Sequence, residues 1–146
     1  MTKNKISSTV RMEFDAGHRI IGHQNKCRYL HGHRYILEVS VCSENLNDIG
    51  MVVDFGVIKS VLKNWIDENF DHTLILNKDD EELGCFVENY TKQKVYYLPF
   101  NPTSENIVLY LSENIIPTLF KDVAGDFKIN SIKLNETPNC YSIITC

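Results

Sequence analysis

No stretch of this chain approaches the ~18 consecutive apolar residues that a membrane-spanning helix needs. The opening Met-Thr-Lys-Asn-Lys-Ile-Ser-Ser-Thr has no apolar core of signal-peptide length. A basic run is missing too. Lys and Arg number 15 against 19 Asp and Glu, a net charge of −4, so a phosphate-backbone partner such as DNA or RNA is not favoured. There is no glycine-rich dinucleotide loop and no P-loop, which argues against a nicotinamide cofactor. The five cysteines (Cys27, Cys42, Cys85, Cys140, Cys146) form no CxxC pair and cannot all be disulfide-bonded, so a reducing cytoplasm is the expected home. Repeats, low-complexity stretches and linkers are absent. The 146 residues are expected to form one domain, 1–146, able to bury roughly 68–70% of the unfolded surface.

Against that background one segment stands out, His31-Gly32-His33, with Cys27 four residues earlier and His18 further upstream. In an extended strand residues two apart share a face, so His31 and His33 present two imidazoles side by side. Gly32 between them lets another backbone or a ligand approach. A third ring from His18 on a neighbouring strand completes a three-nitrogen site. Three protein ligands leave a tetrahedral ion one open position, the arrangement of a catalytic zinc. Neutral imidazole also suits copper, nickel or iron(II), and the residues alone do not exclude iron.

The pattern along the chain reads strands, helix, loop, helix, strands. The even positions Ile6, Ser8, Val10, Met12 and Phe14 and the odd positions Tyr35, Leu37, Val39 and Val41 mark two period-2 strands. His18 shares the first parity; His31 and His33 share the second. Asp54 caps a predicted helix with the apolar stripe Phe55, Ile58, Leu62, Trp65 and Ile66, stopping near Asn69. Thr103 caps another, with Ile107, Val108, Leu111, Ile115 and Leu119 buried and Pro117 bending or ending it. Residues 78–98 are mixed and charged, with one possible strand at Lys94–Leu98. Strands Lys128–Asn135 and Tyr141–Thr145 close the chain. The expectation is an α+β fold, a four-stranded antiparallel sheet with two helices on one face. The other face, rich in β-branched residues, would be hidden by self-association.

Each remaining candidate has two readings. Cys27 is either a small buried hydrophobe or, beside Lys26, Arg28, Arg19 and a divalent cation, a thiolate serving as base or nucleophile. Asp71-His72 is either a polar helix end or a histidine held by a carboxylate as general acid or base. Glu136, in line with Ile132 and Leu134, is either a solvated strand end or a buried carboxylate whose two oxygens match a guanidine-like edge. His23 has no such partner.

Phe14-Asp15-Ala16-Gly17-His18 and Cys27-Arg28-Tyr29-Leu30-His31-Gly32-His33-Arg34-Tyr35 resemble the zinc site of the 6-pyruvoyltetrahydropterin and 6-carboxytetrahydropterin synthase superfamily. Gly50-Met51-Val52-Val53-Asp54-Phe55, Phe70-Asp71-His72 with Leu76-Asn77, Pro102-Thr103-Ser104-Glu105-Asn106 and Glu136-Thr137 continue the likeness in family order. The 78–98 insert departs from it. The resemblance implies zinc on His18, His31 and His33, and Cys27 as the proton-abstracting thiolate. Asp71 with His72 would form the second proton-transfer element. Glu136 would anchor the 2-amino-4-oxo edge of a pterin, with Thr103 and Ser104 nearby. It also implies the tunnelling fold, in which trimers close a barrel and stack as a homohexamer, so that Asp71 and His72 serve a neighbour's zinc.

The implied substrate is 7,8-dihydroneopterin triphosphate. The short gap between Cys27 and His31 resembles the 6-carboxytetrahydropterin synthases of queuosine and 7-deazapurine biosynthesis, which release acetaldehyde and triphosphate. Three alternatives stay open: the pyruvoyl-forming reaction by triphosphate elimination, a non-catalytic zinc- and pterin-binding protein, and a zinc hydrolase using bound hydroxide.

Overall fold

The computed structural model describes residues 3–146; residues 1 and 2 of the expected 1–146 domain lie outside the described residues. The two alternating segments form a long antiparallel pair, β1 (Ile6–His18) and β2 (His31–Ser43), in unbroken register from Ile6↔Ser43 to His18↔His31. Val10, Phe14, Ala16 and His18 on β1, with Tyr35, Leu37, Val39 and Val41 on β2, are all buried on one face. The period-2 pattern thus runs four residues beyond Phe14 and carries His18 into the sheet. Phe14 and Tyr35, cross-strand partners, stack with centroids 5.1 Å apart, a pairing worth about 0.5–1.5 kcal/mol beyond burial.

Helix α1 (Phe55–Asn69) starts at Asp54, whose side chain accepts from Gly56 N at 2.7 Å. Ile58, Leu62 and Ile66 face the core, and Trp65 packs edge-on against Phe70. Phe55 departs from the expected stripe: at the first helical position it is 51% exposed.

The sheet also differs from expectation. It has six strands and is mixed, in the order β4-β3-β1-β2-β5-β6. The four antiparallel strands are there as β1, β2, β5 (Lys128–Thr137) and β6 (Cys140–Thr145). Two short strands, β3 (Thr73–Asn77) and β4 (Val95–Leu98), add parallel at the β1 edge, joined by helix α2 (Glu81–Thr91). Alternation could not reveal β3. Thr73, Leu74, Ile75 and Leu76 are buried in succession, as in a strand covered on both faces.

The second expected helix is one rod in three parts: α3 (Ser104–Tyr110), a π-helical turn (Leu111–Ile115) and α4 (Ile116–Phe120). Pro117 lacks an N–H, and its ring crowds the carbonyl four residues back, so the chain widens one turn just before it. Helices α1, α3 and α4 cover the buried face.

The opposite face corrects the expectation of an apolar surface awaiting cover. Arg11, Glu13, Asp15, Arg34, Glu38 and Lys133 stripe it, with Arg34 bridging Glu13 at 2.9 Å and Asp15 at 3.0 Å, and Lys133 meeting Glu38 at 3.2 Å. No helix among the described residues is long and apolar enough to cross a membrane.

Candidate metal centre and active site

The register of β1 and β2 builds the centre. His18 faces His31, Gly17 faces Gly32 and Ala16 faces His33. The pleat sends all three rings to the helix-covered side at the end of the sheet. They stand nearly edge-to-face, with centroids 4.7, 5.0 and 4.8 Å apart. One ligating nitrogen from each lies within 4.8 Å of the other two.

Backbone carbonyls fix two of the tautomers. His18 Nδ1 is 2.7 Å from the Pro102 carbonyl oxygen and His31 Nδ1 is 2.6 Å from that of Tyr29. A carbonyl only accepts, so each Nδ1 carries a hydrogen, and in the neutral form of each ring Nε2 is left with a lone pair. Those two Nε2 atoms lie 3.2 Å apart. Lone pairs at that distance repel unless something positive sits between them. A tetrahedral ion with bonds of about 2.0–2.1 Å holds adjacent nitrogens about 3.3 Å apart. His33 Nε2 is buried and without a hydrogen-bond partner, since Glu136 Oε1, at 3.4 Å, is not aligned for one. Burial pushes the His18 imidazole down to about 4, and burial, followed by the nearby His31, lowers His33. An orphaned buried nitrogen among three convergent imidazoles is what a metal cation would satisfy. The donor set fits one.

Beside the triad lies a cleft of about 280 Å³ lined in part by Cys27, Thr103, Ser104, Glu136, Cys140 and Tyr141. Cys27 sits in a 3₁₀ turn (Lys26–Arg28) anchored by Ile20 N donating to the Cys27 carbonyl at 2.9 Å. Two of the three side-chain cations expected to favour its thiolate are turned elsewhere. Arg19 forms a two-bond ion pair with buried Asp80, and Arg28 lies over the Tyr29 ring while bonding Gln24 O. The Thr103 hydroxyl is occupied as the cap of α3, accepting from Asn106 N at 3.1 Å, and Ser104 Oγ meets Ser142 Oγ at 2.7 Å. Glu136 sits at a break in the β5–β6 register, which turns its half-buried carboxyl toward His33. Burial, then Glu105, raises its proton affinity.

Asp71 and His72 are together but apart from this cleft. His72 Nδ1 is 2.9 Å from Asp71 Oδ2, and Asp71 Oδ1 accepts from Asp15 N at 3.0 Å. The pair forms a separate group with Asp15, on the side of β1 away from His18. Pro102 and Tyr35, which the motifs contained without a role, both meet His18 Nδ1. Tyr35 had a signal in the continued parity of 31, 33 and 35. A separate cavity of about 730 Å³ around Val52, Val53 and Val57 holds none of the candidate residues.

The sequence model described as 6-pyruvoyl tetrahydropterin synthase matches residues 7–145. The chain belongs to the 6-pyruvoyl tetrahydropterin synthase family. It is an enzyme, a lyase. A relative from Rickettsia bellii, named 6-carboxy-5,6,7,8-tetrahydropterin synthase, is 59% identical over 93% of this chain and 97% of its own. A protein of the same name from Aquifex aeolicus is 35% identical over 92% and 93%. Among solved structures, 6-pyruvoyl tetrahydropterin synthase of Caenorhabditis elegans superposes with a TM-score of 0.69, 21% identity and coverage of 100% and 99%. An uncharacterised protein of Wolinella succinogenes gives 0.79, 23%, 97% and 98%. The fold is therefore that of the synthase family, the tunnelling fold.

Proposed function

We propose that this enzyme converts 7,8-dihydroneopterin triphosphate to 6-carboxy-5,6,7,8-tetrahydropterin, releasing acetaldehyde and triphosphate, as a zinc-dependent step of queuosine and 7-deazapurine biosynthesis. The observation that carries the reading is the triad of convergent imidazoles, with Nε2 atoms of His18 and His31 3.2 Å apart and His33 Nε2 unpartnered among the described residues. The common name of the Rickettsia and Aquifex relatives supports the carboxy product.

In this reading His18, His31 and His33 hold the zinc. When bound, the ion supplies Lewis acidity to side-chain oxygens of the substrate and acidifies the adjacent C–H. Cys27, in the wall of the cleft, takes that proton as a thiolate. Glu136 receives the pterin. Among the described residues its half-buried carboxylate meets only His33 Nε2, at 3.4 Å, and the 2-amino and N3–H groups would supply two donors in parallel. Thr103 and Ser104 line the same cleft; accepting from Asn106 N leaves the Thr103 O–H free to donate to the substrate, and Ser104 Oγ is shared with Ser142.

Asp71 orients His72, which exchanges the second proton. Because that pair lies apart from the Cys27 cleft, a neighbouring copy supplies it, in a trimer or a homohexamer of two stacked trimers. Residues 1–146 act as one domain, in the cytoplasm. Incubation with 7,8-dihydroneopterin triphosphate followed by mass spectrometry tests the reading. The expected outcome is the carboxy-pterin with acetaldehyde. A pyruvoyl-pterin with triphosphate moves the chain to the other branch, and unchanged substrate refutes both.

A further inference from the structure

Tyr35 is buried to 0% exposure, two residues beyond His33 on the same face of β2. Its ring stands edge-to-face to two of the three imidazoles, 5.9 Å from His18 and 5.7 Å from His33. Its hydroxyl oxygen lies 3.1 Å from His18 Nδ1, the same nitrogen that meets the Pro102 carbonyl at 2.7 Å. One N–H therefore points between two oxygens, one from a strand and one from the start of α3.

We propose that Tyr35 is a positioning residue for the metal centre, its hydroxyl joining the Pro102 carbonyl in holding the His18 ring with Nε2 turned toward His31 and His33. The inference rests on the reading of those three histidines as metal ligands. A half-turn of the His18 ring would replace Nδ1–H by a carbon and leave both oxygens without a partner. With two oxygens on one side, that rotamer and the wrong tautomer are both disfavoured.

Tyr35→Phe separates positioning from packing, because the ring contacts with His18, His33 and Phe14 survive and only the oxygen is lost. Zinc affinity is measured on the full chain by competition with a chromophoric chelator. The substitution is expected to weaken zinc binding about tenfold, the lower end of the range for outer-shell partners, since the Pro102 carbonyl remains. Thermal stability of the metal-free variant should stay near that of the parent. In the metal-free parent, imidazole ¹⁵N shifts should report His18 as the Nδ1–H tautomer, a readout that needs no variant. An Nε2–H tautomer there, or equal zinc affinity in Tyr35→Phe and parent, overturns the inference and leaves the ligand assignment standing. A parent chain that binds no zinc overturns both.

Discussion

His72 Nδ1 and Asp71 Oδ2 are 2.9 Å apart, yet neither residue lines the cleft that contains Cys27. The separation is enforced by the backbone. Asp71 Oδ1 is held by Asp15 N, and His72 N donates to the Asp15 carbonyl at 2.6 Å, so the pair is riveted to β1 on the face away from His18. His72 adopts φ 57°, a left-handed conformation uncommon outside glycine. Such a residue is tolerated where surroundings over-determine it, and here they point a tethered imidazole outward, 76% exposed.

This arrangement predicts subunit complementation. Cys27→Ala and His72→Ala homo-oligomers should each lose at least about 100-fold in turnover. Mixed 1:1 by co-expression, they should recover about a quarter of parental activity, because one random neighbour pair in four joins an intact Cys27 to an intact His72. Assay of the purified mixed oligomer checks it. Mixed oligomers no more active than either single variant alone would show that both groups act within one copy.

The parity of Phe14, Ala16 and His18 and of His31, His33 and Tyr35 made the triad legible, because a pleat has a fixed period of two and an unbroken register keeps it. The caps Asp54 and Thr103 were legible for a local reason, a side chain accepting from a backbone N–H two or three residues on. What was hidden lacks such signatures. The Pro102 carbonyl that orients His18 is 84 residues away and belongs to the backbone. β3 is apolar without alternation. Arg19 looked like a neighbour of Cys27, but Asp80 of the charged 78–98 segment claims it.

Metal removal should cost stability as well as activity. A site formed only in the folded chain contributes about 4 kcal/mol when free zinc is a thousand times its dissociation constant, which is roughly 8–16 °C in Tm for a chain of this size. Differential scanning calorimetry with and without a chelator measures it. His31→Ala and His33→Ala should show no chelator effect and no bound zinc by metal analysis. Full occupancy in either would remove that residue from the ligand set.

The metal-free chain should lose stability on acidification through His18. Its folded-state value is about 4 against the ordinary 6.5, so the unfolded chain binds the proton more tightly. The stabilisation is complete above 6.5 and is lost as the pH falls toward 4, with a total of about 3 kcal/mol at 1.36 kcal/mol per unit. Urea midpoints of parent and His18→Gln, compared at pH 7.5 and pH 4.5 after chelation, isolate this contribution. Equal slopes for the two would mean the ring is already solvated in the folded chain.

The 78–98 insert, which no motif explained, contains one unusually tight contact. Gly84 in α2 is buried, and a Cβ there would lie 2.0 Å from Tyr97 Oη and 2.7 Å from its Cζ. The ring of Tyr97, on β4, is packed with Leu74, Leu76 and Val95, so it cannot yield as a flexible chain end would. Gly84→Ala normally gains helix propensity worth up to about 1 kcal/mol, but here overpacking should outweigh it and destabilise the chain by about 1–3 kcal/mol. Adding Tyr97→Phe should recover part of that loss, since the closest atom is removed. Denaturation of the single and double variants gives the coupling energy. A Gly84→Ala chain as stable as its parent would mean that α2 or the Tyr97 ring shifts at no cost, and that the contact is not tight in solution.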